Sequence, residues 1–210
     1  MKQAWIRKNV DCQYPSPDSW GELAVMGNNE NSLLGLPMVY DAEGDAIVED
    51  FLPTLLSGND LPQSEFIQVA CGGSHSLALT KDGKVYSWGV GELGALGRDS
   101  NGALIQQVPT LEKIVQVEAG DSHSLFLDSE GNVFMCGIYL HNELGHFSDP
   151  SVLADVKKSR SNMTPRLVTG LTDVIHIRAG GSMSAALTKG KQLYTWGLSL
   201  DGGLARSKSM

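Results

Sequence analysis

Five histidines, three cysteines and 24 carboxylates are the side chains of this 210-residue sequence that could carry chemistry. His141 and His146, with Asp149 close behind, offer nitrogen and oxygen donors, but an i,i+5 pair in a loop matches no standard site, so no metal is expected. Cys12, Cys71 and Cys136 lie 59 and 65 residues apart with no C-x-x-C pair, which predicts reduced thiols, not a disulfide framework or a zinc site. Gly89-Val90-Gly91-Glu92-Leu93-Gly94 spells G-x-G-x-x-G, the pattern that lets a helix N-terminus approach a pyrophosphate. Residues 95–102 then supply two more glycines and no 3.6-residue apolar period, so a dinucleotide cofactor is rejected. With no Walker loop, G-x-S-x-G elbow or H-E-x-x-H, no catalytic residue and no cofactor is expected.

Charge narrows the partners. Residues 1–66 hold 3 basic and 11 acidic side chains (−8), residues 67–149 hold 4 and 10 (−6), and residues 150–210 hold 9 and 3 (+6). An acidic chain is a poor non-specific binder of nucleic acid, because that affinity comes from cations displacing counterions. Lys157, Lys158, Arg160 and Arg166 form the one basic concentration, to be read either as solvated surface or as a patch. No apolar run reaches the ~18 residues of a spanning helix, and the start has no long apolar stretch of signal-peptide type, so a cytosolic or nuclear chain without membrane contact is expected.

The elements that position these groups repeat. Residues 67–97 (IQVACGGSHSLALTKDGKVYSWGVGELGALG) align without a gap on 115–145 (VQVEAGDSHSLFLDSEGNVFMCGIYLHNELG), and a third copy runs from Ile175 to Ala205. The tail of another copy lies within 21–37. Met26-Gly27, Trp88-Gly89, Cys136-Gly137 and Trp196-Gly197 mark equivalent points, 62, 48 and 60 residues apart. Fixed cores joined by variable connectors are the mark of stacked or radial modules. The organisation expected is a tail at 1–20, repeats over 21–205 and a short end at 206–210.

Within each copy the apolar period is two, in blocks too short for helices. Lys81-Asp82-Gly83-Lys84, Ser129-Glu130-Gly131-Asn132 and Lys189-Gly190-Lys191 each carry the glycine that a tight hairpin turn requires, so the flanking strands pair antiparallel. A fourth run in each copy is expected to open at Pro109 or Pro165, since proline suits a strand start or edge. Four short strands per copy make an all-β fold, a β-propeller of four-stranded antiparallel blades. Trp88 and Trp196 are expected to lie between blades.

The (A/C)G(G/D)SHS block, the DG(K/N)V(Y/F)-x-(W/C)G block and the terminal LG together resemble the regulator of chromosome condensation family over residues 21–205. That resemblance implies a seven-bladed ring, of which this sequence holds about three to four blades, and a nuclear role, with the cytoplasm as alternative. It further implies binding to a Ran-like small GTPase and nucleotide exchange without covalent chemistry, and docking on chromatin. Asp121 and His123 match the family's GTPase-facing loop, and Glu30 and Glu92 match acidic rim positions. Tyr139, Leu140, His141, Asn142 and Glu143 stand where the family inserts a hairpin wedge near the nucleotide.

The sequence departs from that family at two points. Leu140 and His141 replace a wedge tip rich in Arg, Asp, Asn and Gly, and Gly181-Ser182-Met183 lacks the Asp-His pair. His75 shares the repeat position of His123, so both read equally as hydrogen-bonders within the blades. Asp121 replaces a glycine of its sister copies, which favours function there. The alternative to exchange is a non-catalytic interaction scaffold. An incomplete ring also leaves blade faces uncovered, which predicts self-association.

Overall fold

A computed structural model describes residues 22–47, 49–56, 61, 65–91, 94–99, 104–138 and 161–197. These residues form sheets whose strands follow one another in space as in sequence. Blade I comprises β5 (Phe66–Cys71), β6 (His75–Thr80), β7 (Val85–Gly89) and β8 (Gln106–Gln107), paired antiparallel in that order. Blade II repeats the pattern with β9 (Ile114–Ala119), β10 (His123–Asp128), β11 (Val133–Ile138) and β12 (Ser161–Leu167). Blade III shows β13 (Val174–Ala179), β14 (Met183–Thr188) and β15 (Leu193–Gly197).

Ahead of blade I, an N-terminal sheet pairs β1 (Ala24–Asn28) with β4 (Glu49–Leu55), the equivalents of the two outer strands of a blade. A small hairpin, β2 (Val39–Tyr40) and β3 (Ala46–Ile47), is inserted between them. Asp41 closes its turn by accepting hydrogen bonds from the Glu43 and Asp45 amides. Among the described residues the only helical turn is a 3-10 turn at Glu30–Ser32, and no helix is long and apolar enough to cross a membrane.

The core lies between blades, because a twisted sheet with both faces apolar must bury each face on a neighbour. Leu23 of the N-terminal sheet packs with Ala78, Tyr86 and Trp88 on the rear face of blade I. Leu77, Leu79 and Val85 on the front face of blade I meet Phe126 and Cys136 of blade II. Leu125, Leu127, Val133 and Met135 on the front of blade II meet Ala186 and Trp196 of blade III. Both tryptophans thus lie in seams between sheets, and Gly35 leaves room for one of them: a Cβ there would stand 2.9 Å from Trp88 Cδ1.

The three seams conserve volume by exchange. Blades I and III combine a tryptophan with an alanine two places along the neighbouring strand, Trp88 with Ala78 and Trp196 with Ala186. Blade II instead combines Cys136 with Phe126, both fully buried in the same cluster. Cys136→Trp should overpack this seam and cost about 2 kcal/mol. Adding Phe126→Ala, which recreates the pairing of the sister blades, should recover most of that loss. Urea midpoints measure both, and a double variant less stable than Cys136→Trp would remove the compensation.

Two local expectations change. The fourth strand does not open at its proline: β8 ends before Pro109, and Pro165 lies inside β12. Pro165 is tolerated there because β12 is the edge of its sheet and the pairing is irregular opposite it, between Met135 and Gly137, so no ladder amide is needed. In the third hairpin turn, Lys191 takes the left-handed position (φ 62°) that Gly83 and Gly131 occupy in the other two. The turn is still held as in its sisters, with Gln192 N donating to Thr188 Oγ1 as Lys84 N does to Thr80 Oγ1.

Candidate binding face

At one end of the blades, the turns entering β6, β10 and β14 lie side by side. Backbone bonds join them across the seams: Gly73 N donates to the Gly120 carbonyl at 3.3 Å, and Asp121 N to the Gly181 carbonyl at 2.9 Å. Asp121 is the one of these turn residues with a carboxylate, and it is exposed. Its Oδ2 rests over Gly181, 3.0 Å from where a Cβ would be built, so the neighbouring glycine makes room for it. The loop following β1 emerges at the same end of its sheet and carries Glu30, also exposed.

His123, expected beside Asp121 on this face, points inward. It is 4% exposed, and its Nε2 lies 3.0 Å from Ser184 Oγ of blade III. His75 does the same one seam earlier, 2.8 Å from Ser124 Oγ. The Ser124 hydroxyl donates to the Ala95 carbonyl, so its proton is committed and His75 Nε2 is the donor in this pair. Burial lowers both imidazoles to about 4, and both are neutral at pH 7. Buried and bonded to Ser184, His123 fastens blade II to blade III. Each ring lies against a glycine: a Cβ on Gly120 would collide with His123 Cε1, which explains the glycine that stands three residues before the histidine in the motif.

A second set of fasteners sits on the inner strands. Gln116 Nε2 donates to the Ile177 carbonyl at 2.8 Å, and Ile177 N donates to Gln116 Oε1 at 3.1 Å. Gln68 makes the same pair of bonds to Val117. Arg178 adds an ion pair to Glu118 across the last seam. Arg98, 6% exposed, ties the loop after β7 through Ser87, Gln106 and the Leu104 carbonyl, a cation satisfied by neutral acceptors.

The glutamines stood at matching positions in IQVACGG and VQVEAGD, which was the available signal for their role. For Arg98 the available signal was Arg206, which stands at the same place one residue past the third copy. Burial pushes the Cys136 thiol far up, so it is inert. Glu92, Tyr139, Leu140, His141, Asn142 and Glu143 lie outside the described residues, as do His146, Asp149 and the basic residues 157, 158 and 160. Among the described residues no three His, Cys, Asp or Glu are grouped to hold a metal ion.

The family described as the regulator of chromosome condensation (RCC1) repeat matches residues 21–79 and 82–127, and a second form of that repeat matches 66–95 and 114–144. The human protein named regulator of chromosome condensation is 32% identical over 187 residues, covering 89% of this chain and 41% of the relative. An Arabidopsis thaliana RCC1 domain-containing protein, RUG3, mitochondrial, is 34% identical over 134 residues, covering 64% of this chain and 18% of the relative. The structure of Saccharomyces cerevisiae Prp20p, studied for its binding to Gsp1p and histones, superposes with a TM-score of 0.71 at 26% identity, over 93% of this chain and 45% of that one. The chain thus spans less than half the length of these relatives. Two matched repeats, the blade-by-blade strand order and this likeness in three dimensions establish that the chain belongs to the regulator of chromosome condensation family.

Proposed function

We propose that the face carrying Asp121 binds a Ran-like small GTPase and promotes release of its guanine nucleotide. The observation that carries this reading is Asp121 itself, a carboxylate unique to one repeat, exposed, and held on a backbone network that runs through all three turns. Such a group meets a cationic or amide partner with little ordering cost. Family membership supports it, as does the likeness to Prp20p, a protein studied for binding Gsp1p, a Ran-like GTPase. Glu30, Glu92 and residues 139–143 complete the proposed contact surface.

Exchange needs no covalent step in this scheme. A protein that binds the nucleotide-free GTPase more tightly than the loaded form weakens nucleotide binding by the same factor. A nuclear location and contact with chromatin belong to this proposal as well.

The competing reading is a scaffold that binds without exchange, favoured by Gly181-Ser182-Met183, where blade III lacks the Asp-His pair. Release of fluorescent GDP from Ran separates the two. The chain should accelerate release, and Asp121→Ala should slow that acceleration about tenfold, as losing one charge-assisted hydrogen bond would. The circular dichroism should not change. No acceleration, together with binding that is indifferent to Asp121→Ala, would leave the scaffold reading in its place.

A further inference from the structure

We propose that Thr164 is a phosphorylation site, taken by an ATP-dependent protein kinase that requires a proline directly after the acceptor. Thr164 and Pro165 lie in β12, the outer strand of blade II, which among the described residues pairs with β11 alone. Adjacent blades stack on the faces of a sheet and leave its outer edge open, so the exposure of Thr164 does not depend on how many blades stand in the ring.

The repeat marks the position as a surface one. In the register of the outer strands Leu52, Leu104 and Thr164 are equivalent, each three residues before the partner of Ala24, Tyr86 or Phe134. Leu52 is 73% exposed and Leu104 43%, and Thr164 is exposed as they are. Leu52 is also followed by a proline, Pro53, so the proline belongs to the strand and the hydroxyl is what blade II adds.

The local backbone suits a kinase cleft. Between the pairs Met135–Arg166 and Gly137–Asn162, the three residues Met163, Thr164 and Pro165 oppose Cys136 alone, so Thr164 stands in a bulge outside the regular ladder. A residue before proline is held extended, the form in which a kinase takes its acceptor, and proline brings no amide that the cleft must satisfy.

Thr164 Oγ1 attacks the γ-phosphorus of ATP, the bond from that phosphorus to the β,γ-bridging oxygen breaks, ADP leaves, and the hydroxyl proton passes to the catalytic aspartate of the kinase. The phosphothreonine adds about two negative charges to the rim of blade II, two residues from Arg166. The site is separate from the proposed GTPase contact, and its test does not involve that partner.

The sequence holds one other Ser/Thr-Pro pair, Ser16-Pro17, so the experiment uses the 210-residue chain carrying Ser16→Ala. A purified kinase of the cyclin-dependent class, with ATP and Mg²⁺, should add one phosphate, counted by intact mass and placed on Thr164 by peptide fragmentation. Thr164→Val, which keeps a β-branched side chain in the strand, and Pro165→Ala should each abolish incorporation with an unchanged circular dichroism spectrum. Unfolding exposes any threonine, so the rate should be the same in Gln116→Leu, which loses two bonds to Ile177 and populates the unfolded chain more. No phosphate on Thr164, incorporation that survives Pro165→Ala, or a rate that rises with Gln116→Leu overturns the proposal.

Discussion

Replacing Gln116 by leucine should destabilise the protein by about 2 kcal/mol, because it strands the amide of Ile177, whose carbonyl keeps only a longer bond from Arg178 Nη1, in a seam where an unpaired group costs roughly 1–3 kcal/mol. Gln116 is 5% exposed and the Ile177 side chain fully buried, so water cannot easily replace the lost partner. Leucine matches the volume, which separates the polar loss from a cavity. Gln68→Leu removes the same two bonds to Val117 at a half-buried site, and its cost should be smaller. Chemical denaturation ranks the two variants, and hydrogen exchange of the Ile177 amide should speed up selectively in Gln116→Leu. A loss under about 1 kcal/mol, within the range of a net solvated hydrogen bond, would mean that the seam admits water and that the inner-strand glutamines are not its fasteners.

Acid should open the same seams through the histidines. Burial holds His75 and His123 at about 4 in the folded chain, against the ordinary 6.5 when unfolded. Above pH 6.5 neither state is protonated and the full stability is present. Between 6.5 and 4 the unfolded chain takes up protons that the folded chain refuses, so stability falls with pH by about 1.4 kcal/mol per unit per histidine. Below 4 both states are protonated and this loss stops growing. The total is on the order of 3 kcal/mol for each ring.

His75 faces Ser124 and feels the charge of His123, while His123 faces Ser184 with Asp121 nearby, which offsets part of its shift. The double variant His75→Gln/His123→Gln should show a much flatter stability profile between pH 6.5 and 4.5, measured by urea midpoints. An identical slope in parent and variant would place the acid sensitivity elsewhere. Because the Gly120 amide donates to the His123 carbonyl and Asp121 follows directly, loss of the latch should also loosen the proposed contact face.

Much of this was legible from spacing alone. The period-two runs and the turn glycines set the strands, and register followed because shifting a strand by one residue would move every buried side chain to the wrong face. Asp121 could be singled out because a carboxylate there replaces the glycine of both sister copies. What resisted reading was the direction of side chains at the ends of strands. His123 and Asp121 are two residues apart, yet one enters the seam and the other faces solvent, and nothing in GDSHS says which. The place of Pro165 inside β12 is not legible for a related reason, since its tolerance depends on β12 being an edge with irregular pairing.

The sequence by itself determined the modules, because a repeat unit must carry its own strand pattern and turns in every copy. Only the tertiary structure decided what those modules share. Gln116 with Ile177, His123 with Ser184, and Asp121 with Gly181 lie about 60 residues apart in sequence and touch only because successive sheets stack. The Phe126 and Cys136 exchange has the same origin. A seam fixes the summed volume of two faces and leaves each residue free to vary, so the constraint exists between positions and cannot be read from any one of them.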